Sequence, residues 1–200
     1  MISNNQKVAF VIGNGVSRKP INLGSLPQYG ATYGCNALYR DFSPDHLISV
    51  DPNMIKEIND SEYNKNHNVW IRHTTGLDFV TNVQYLDEFR RWSSGPSALL
   101  LACGHGHGVI YILGFDFIGL CNDTKFNNVY SDTPNYKRSI QKHTYYRNWL
   151  NQTIEVVSNN KHVEFIQVIE KNGKIFNELS ENSNFRTIEI DFFRKKFDIL

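Results

Sequence analysis

Short apolar runs recur along the chain, each ended by turn or polar residues. Residues 7–12, 31–34, 46–50, 68–71 and 109–113 are brief, rich in β-branched side chains and almost continuously apolar. Such runs suit strands of a sheet covered on both faces. Between them, residues 37–42, 53–59 and 96–103 and a longer stretch from about 144 to 157 read as helices. A further strand is predicted at 163–168, and residues 187–197 read as another strand or a short helix. The alternation predicts an α/β chain built on a mostly parallel sheet. Residues 117–142 break the pattern: they are polar, rich in Asn, Asp and Tyr, and without clear period. A connection that long inside a compact domain is read as a lid or insertion loop at a functional site.

Composition narrows the class. The 200 residues are 40% hydrophobic and 20% charged, which describes one globular domain over 1–200 and excludes a disordered chain. With 21 basic and 20 acidic side chains the formal charge is +1, so no long-range field draws in a polyanion and nucleic acid is not an expected partner. No apolar run approaches the ~18 residues needed to span a bilayer. Cys35, Cys103 and Cys121 are odd in number and form no C-x-x-C, which fits reduced thiols and, with no signal-peptide pattern, a cytoplasmic location. None is read as a zinc ligand.

In an open parallel sheet, ligands bind beyond the carboxyl ends of the strands, so the residues directly after each strand carry the functional reading. The first strand is followed by Gly13-Asn14-Gly15, the second by Gly34-Cys35-Asn36, the third by Asp51-Pro52-Asn53, and the strand at 109–113 by Gly114-Phe115-Asp116-Phe117. Ser93-Ser94-Gly95-Pro96 opens a helix, with Ser as the expected N-cap, and its first amides suit an anion. Singly, each of these has a plain reading as a turn or a cap. Together they converge on one edge, without forming a Walker A loop or a complete G-x-G-x-x-G.

Taken in order over about residues 7–118, G-N-G-x-S, G-C-N, D-P-N, S-G-x-x-A-L and I-Y-I-L-G-F-D-F resemble the bacterial glycosyltransferase family 42 sialyltransferases. The resemblance implies a Rossmann-like nucleotide-binding domain with helices on both faces and a polar lid. It also implies a CMP-sialic acid type donor, an acceptor that the sequence does not identify, inversion at the anomeric carbon, and no cofactor or essential metal. It places Asn14 and Asn36, with Gly13 and Gly15, on the nucleotide, Ser94 and Gly95 near the phosphate or donor carboxylate, and Asp51, Gly114 and Asp116 around the pocket. His143 is the implied general base, and Tyr130 and Tyr136 the implied lid tyrosines at the departing phosphate.

The chain departs from that pattern at Ile118, where the family has Tyr, at Asp51, where it has Asn, and in a shorter lid. Two alternatives therefore stand beside a transferase. One is a diphosphokinase-like enzyme using ATP with magnesium held by Asp51 and Asp116, and the other is a nucleotide-binding protein without turnover. Gly104-His105-Gly106-His107-Gly108 is read as a helix stop rather than a metal site. His67 and His73 are read as surface residues. Tyr146, Trp149, Leu150 and Ile154 are read as a core stripe. The basic, aromatic tail from Phe192 is expected to pack on its own domain, with weak membrane contact or a neighbouring subunit of a homo-oligomer as the alternative.

Overall fold

The computed structural model describes residues 7–73, 76–86, 91–142 and 146–199. Eight strands form one sheet: β1 (Val8–Ile12), β2 (Ala31–Cys35), β3 (His46–Ser49), β4 (Val69–Ile71), β5 (Gln84–Tyr85), β6 (Val109–Leu113), β7 (Glu164–Ile169) and β8 (Phe185–Glu189). Their spatial order is β5-β4-β3-β2-β1-β6-β7-β8, and every neighbouring pair is parallel. The order reverses between β1 and β6, because the chain first builds outward to β5 and then returns to the other side of β1. This is a Rossmann-like α/β fold with its switch point at the β1/β6 crevice.

Full cover on both faces explains the apolar runs. Along β1, Phe10 and Ile12 enter one core layer with Tyr111 and Leu113 of β6, while Ala9 and Val11 enter the opposite layer with Ile110 and Ile112. The first layer is closed by Ile55 and Ile58 of α1 (Pro52–Asp60) and by Phe193 of α6 (Ile190–Lys196). The second is closed by Leu99 and Ala102 of α2 (Ser94–Gly104) and by Leu150 and Val157 of α4 (Arg147–Asn159). Burial of one such side chain contributes about 1.5–3 kcal/mol, so the central pair is the energetic spine of the fold.

Short elements account for the differences from the sequence reading. Residues 37–42 do not form an α-helix: Asn36 sits at φ 53°, and the chain makes one tight 3-10 stretch, Asn36–Arg40. The tail resolves into β8 followed directly by α6, so both readings of it hold in succession. Phe193 and Phe197 pack edge-on against Phe10, which seats the tail on its own domain, while Phe192 stays exposed. The two-residue β5, the irregular turn α3 (Leu120–Asp123) and α5 (Asn177–Ser180) are too short to show a period.

At the amino edge of the sheet, the Tyr33 hydroxyl lies 2.8 Å from His105 Nδ1 and 2.9 Å from His107 Nε2. It therefore donates to one ring and accepts from the other. His46 stacks on the Tyr33 ring with centroids 4.8 Å apart, and His67 stacks on Tyr63 at 3.9 Å. Among the described residues, no group of three or more His, Cys, Asp or Glu is arranged to hold a metal. No described helix is long and apolar enough to cross a membrane.

Candidate functional site

The β1/β6 crevice opens into a cavity of about 470 Å³ at the carboxyl ends of the strands. Its floor is made by two turns in backbone contact. Gly13 N–H donates to Leu113 O at 2.8 Å, and Gly15 N–H donates to Gly114 O at 2.9 Å. Gly114 has φ +64°, and a Cβ there would lie 2.8 Å from Gly13 O, so only glycine lets these turns meet without strain. A Cβ on Gly15 would run into the Asp116 carboxylate. That carboxylate accepts from Ser17 Oγ, from Ser17 N–H at 3.2 Å and from Asn127 Nδ2 at 3.0 Å. Asp116 thus fastens the β1 turn to the polar segment after β6, and its oxygens are already engaged as acceptors.

Two strand ends and the start of α2 contribute to one hydrogen-bond chain. Ser94 Oγ accepts from Val50 N–H at 3.2 Å and donates its one hydrogen to Asn36 Oδ1 at 2.8 Å. Ser49 Oγ donates to the same Asn36 oxygen at 3.1 Å. With its oxygen held twice, the Asn36 amide leaves its N–H groups as donors to whatever enters the cavity. Ser94 was expected to cap its helix or to lie near a ligand's phosphate; it is not the cap, and its hydroxyl orients Asn36 while the residue lines the cavity. Ser93 occupies the N-cap position of α2 without a side-chain cap bond. The first amides of α2, at Ser94 and Gly95, remain at the cavity wall and carry the positive end of the helix.

Asn14 is 9% exposed. Its Nδ2 donates to Cys35 O at 2.9 Å and to the Tyr136 hydroxyl at 3.4 Å. Its Oδ1 is buried without a partner among the described residues, an unmet acceptor in the cavity lining. Asp51 takes the N-cap position of α1 but makes no cap bond, and the residue lines the cavity. The surrounding walls disfavour its charge and raise its pKa, with the Arg72 charge acting in the opposite sense.

Gly13, Asn14, Gly15, Asn36, Asp51, Ser94, Gly95, Gly114 and Asp116 therefore all line one cavity. The implied lid residues divide differently. The Tyr130 hydroxyl lies outside the cavity lining, accepting from Arg18 Nη2 at 3.0 Å and donating to Asp41 at 2.7 Å. Tyr136 is not among the lining residues either, but its hydroxyl accepts from Nδ2 of Asn14, which is, and from Ala37 N–H, both at 3.4 Å; burial pushes its pKa up to about 12. His143 lies outside the described residues.

Arg72, Arg91, Trp92, Asn127, Asn128, Tyr146 and Trp149 also line the cavity. Arg72 directly follows β4, and the same strand-end rule that found Asn36 reaches it. Tyr146 and Trp149 were assigned to the core from their helical spacing; they pack against it and present to the cavity as well.

No family model and no curated protein matches the chain. Among solved structures, the fold is similar to the sialyltransferase CstII from Campylobacter jejuni in complex with cytidine-5'-monophosphate. That match has a TM-score of 0.52 and 15% identity and covers 82% of this chain and 80% of that one. A point mutant of the alpha-2,3/8-sialyltransferase CstII matches with a TM-score of 0.52 and 14% identity, over 80% of this chain and 81% of that one. At such identity the likeness establishes the shared fold.

Proposed function

We propose that the chain is a glycosyltransferase that binds a cytidine nucleotide sugar of the CMP-sialic acid type in the β1/β6 cavity. The observation that carries this reading is the convergence of Asn14, the oriented Asn36 amide and the α2 amides on one crevice at the switch point. The volume falls within the roughly 300–1,000 Å³ usual for small-molecule sites. A phosphate set against the first amides of α2 meets the positive end of that helix. The unmet Asn14 oxygen suits an amino or hydroxyl donor of the nucleoside. A fold shared with a protein solved with cytidine-5'-monophosphate bound supports the choice of base.

In this reading the acceptor hydroxyl attacks the anomeric carbon from the face opposite the phosphate, and the bond from that carbon to the phosphate oxygen breaks. The sugar is inverted and CMP departs. His143, named by resemblance, takes the proton from the acceptor hydroxyl, a task suited to a group with an ordinary pKa near 6.5. Tyr136, named by the same resemblance and hydrogen-bonded to Asn14, donates to the departing phosphate in this reading.

A second reading, nucleotide binding without turnover, draws on Tyr130, whose hydroxyl is held between Arg18 and Asp41. Calorimetric titration with CMP, CMP-sialic acid, UDP and ATP, each with and without magnesium, tests the site. Metal-independent preference for the cytidine compounds is expected; magnesium-dependent ATP binding would sink the proposal. Mass spectrometry of the donor after incubation with candidate acceptors separates transfer from binding alone.

A further inference from the structure

We infer that the buried guanidinium of Arg18 makes the cavity select phosphate-bearing ligands, acting through its field rather than by contact; this rests on the reading of the cavity as a nucleotide site. Arg18 belongs to the short 3-10 turn Val16–Arg18 that follows the Gly13–Gly15 floor, and it is 6% exposed. A guanidinium carries five N–H donors, and a charge buried so far is ordinarily paired with a carboxylate. Among the described residues its hydrogen-bond acceptor is a neutral hydroxyl, Tyr130 Oη, and Nε has no partner. Among the described residues no carboxylate lies within ion-pair distance of it; Asp41 is reached only through the Tyr130 hydroxyl.

The place of this charge gives it a use. The Arg18 side chain runs beneath the floor, with Cδ 3.3 Å from where a Cβ on Gly114 would stand. Its charge reaches the cavity wall: burial drives the Cys35 thiol pKa upward, and the Arg18 charge pulls it back down. Cys35 lines the cavity. A cation fixed in the protein interior, without a counterion in contact, acts on an incoming anion with little solvent screening. Arg18 is a positioning residue for charge: it does not line the cavity, yet it favours an anion over a neutral group within it.

The test is calorimetry of the full chain with CMP and with cytidine, for wild type, Arg18→Met and Arg18→Lys. The expected result is that Arg18→Met weakens CMP by about tenfold or more, that cytidine stays within about twofold, and that Arg18→Lys keeps CMP within about threefold. Equal losses for CMP and cytidine, or an unchanged CMP affinity, overturn the inference and leave the nucleotide reading intact. If wild type binds neither probe, the nucleotide reading fails and this inference with it. Tyr130→Phe removes the partner of the guanidinium but not its charge. If Arg18→Met does not fold, Tyr130→Phe and Arg18→Lys decide: both must keep the wild-type ratio of CMP to cytidine affinity, and a collapsed ratio in either overturns the inference.

Discussion

The Ser94 hydroxyl sits 2.8 Å from Asn36 Oδ1 and 3.2 Å from Val50 N, so one side chain links the start of α2, the end of β3 and the residue after β2. Its removal has two separable effects. Ser94→Ala strands the buried Val50 N–H and is expected to cost about 1–3 kcal/mol, read as a lowered midpoint in thermal unfolding. It also frees the Asn36 amide to turn, so CMP affinity should fall by roughly fivefold, about the worth of one net hydrogen bond. Unchanged CMP affinity in a folded Ser94→Ala protein would show that Asn36 needs no such orientation.

Gly114→Ala tests the contact between the two floor turns. The new Cβ meets Gly13 O at 2.8 Å on a backbone at φ +64°. Strain of this kind costs about 1–3 kcal/mol, and the displaced turn carries Gly13 with it, so both thermal stability and CMP binding should drop. A variant as stable as wild type would mean that the turns part without cost.

Removal of the implied base separates chemistry from binding. With His143→Ala, turnover is expected to fall by about a hundredfold or more while CMP affinity stays within about twofold. Turnover within a few-fold of wild type would remove His143 from the mechanism.

Acidification should loosen the amino edge of the sheet. Burial is the main cause that lowers the pKa values of His46 and His107, with the His105 charge adding to both; Lys7 acts in the same sense on His107 and Asp45 in the opposite sense on His46. The unfolded chain takes up protons near pH 6.5, before these folded rings do, so stability is full above that pH and declines as pH falls through it toward the lowered folded values. The unfolding midpoint should fall between pH 7 and pH 5, before most carboxylates titrate. His107→Gln should flatten that slope, and a wild-type midpoint constant across this range would contradict the assignment.

How much of this was legible depended on element length and on where the strand-end rule was applied. β1 and β6 announce themselves because Phe10, Ile12, Ile110 and Ile112 are buried on alternating faces, which forces continuous apolar runs. The cavity floor followed from them, since Gly13 and Gly114 come next in sequence. β5 left no trace because Gln84 and Tyr85 are two exposed residues. The core reading of Trp149 holds, but it was incomplete for a physical reason: a large indole can pack against a core and line a cavity at once, and helical spacing reports only the packing. Tyr130 was named only by the resemblance, and the bonds of its hydroxyl to Arg18 and Asp41 were not legible because those residues come from distant segments.

The switch point also sets a timetable for biosynthesis. β1 pairs with β6 in the register Ile12 to Leu113, so the two sides of the crevice are separated by about a hundred residues of chain. At roughly 5–20 residues per second, a ribosome leaves β1 without its central partner for about 5–20 s. During that interval one edge of the most apolar strand is open to misdirected pairing. A nascent chain that stops before Val109 lacks one side of the cavity, so on the proposed reading a nucleotide would stabilise this protein only late in its synthesis.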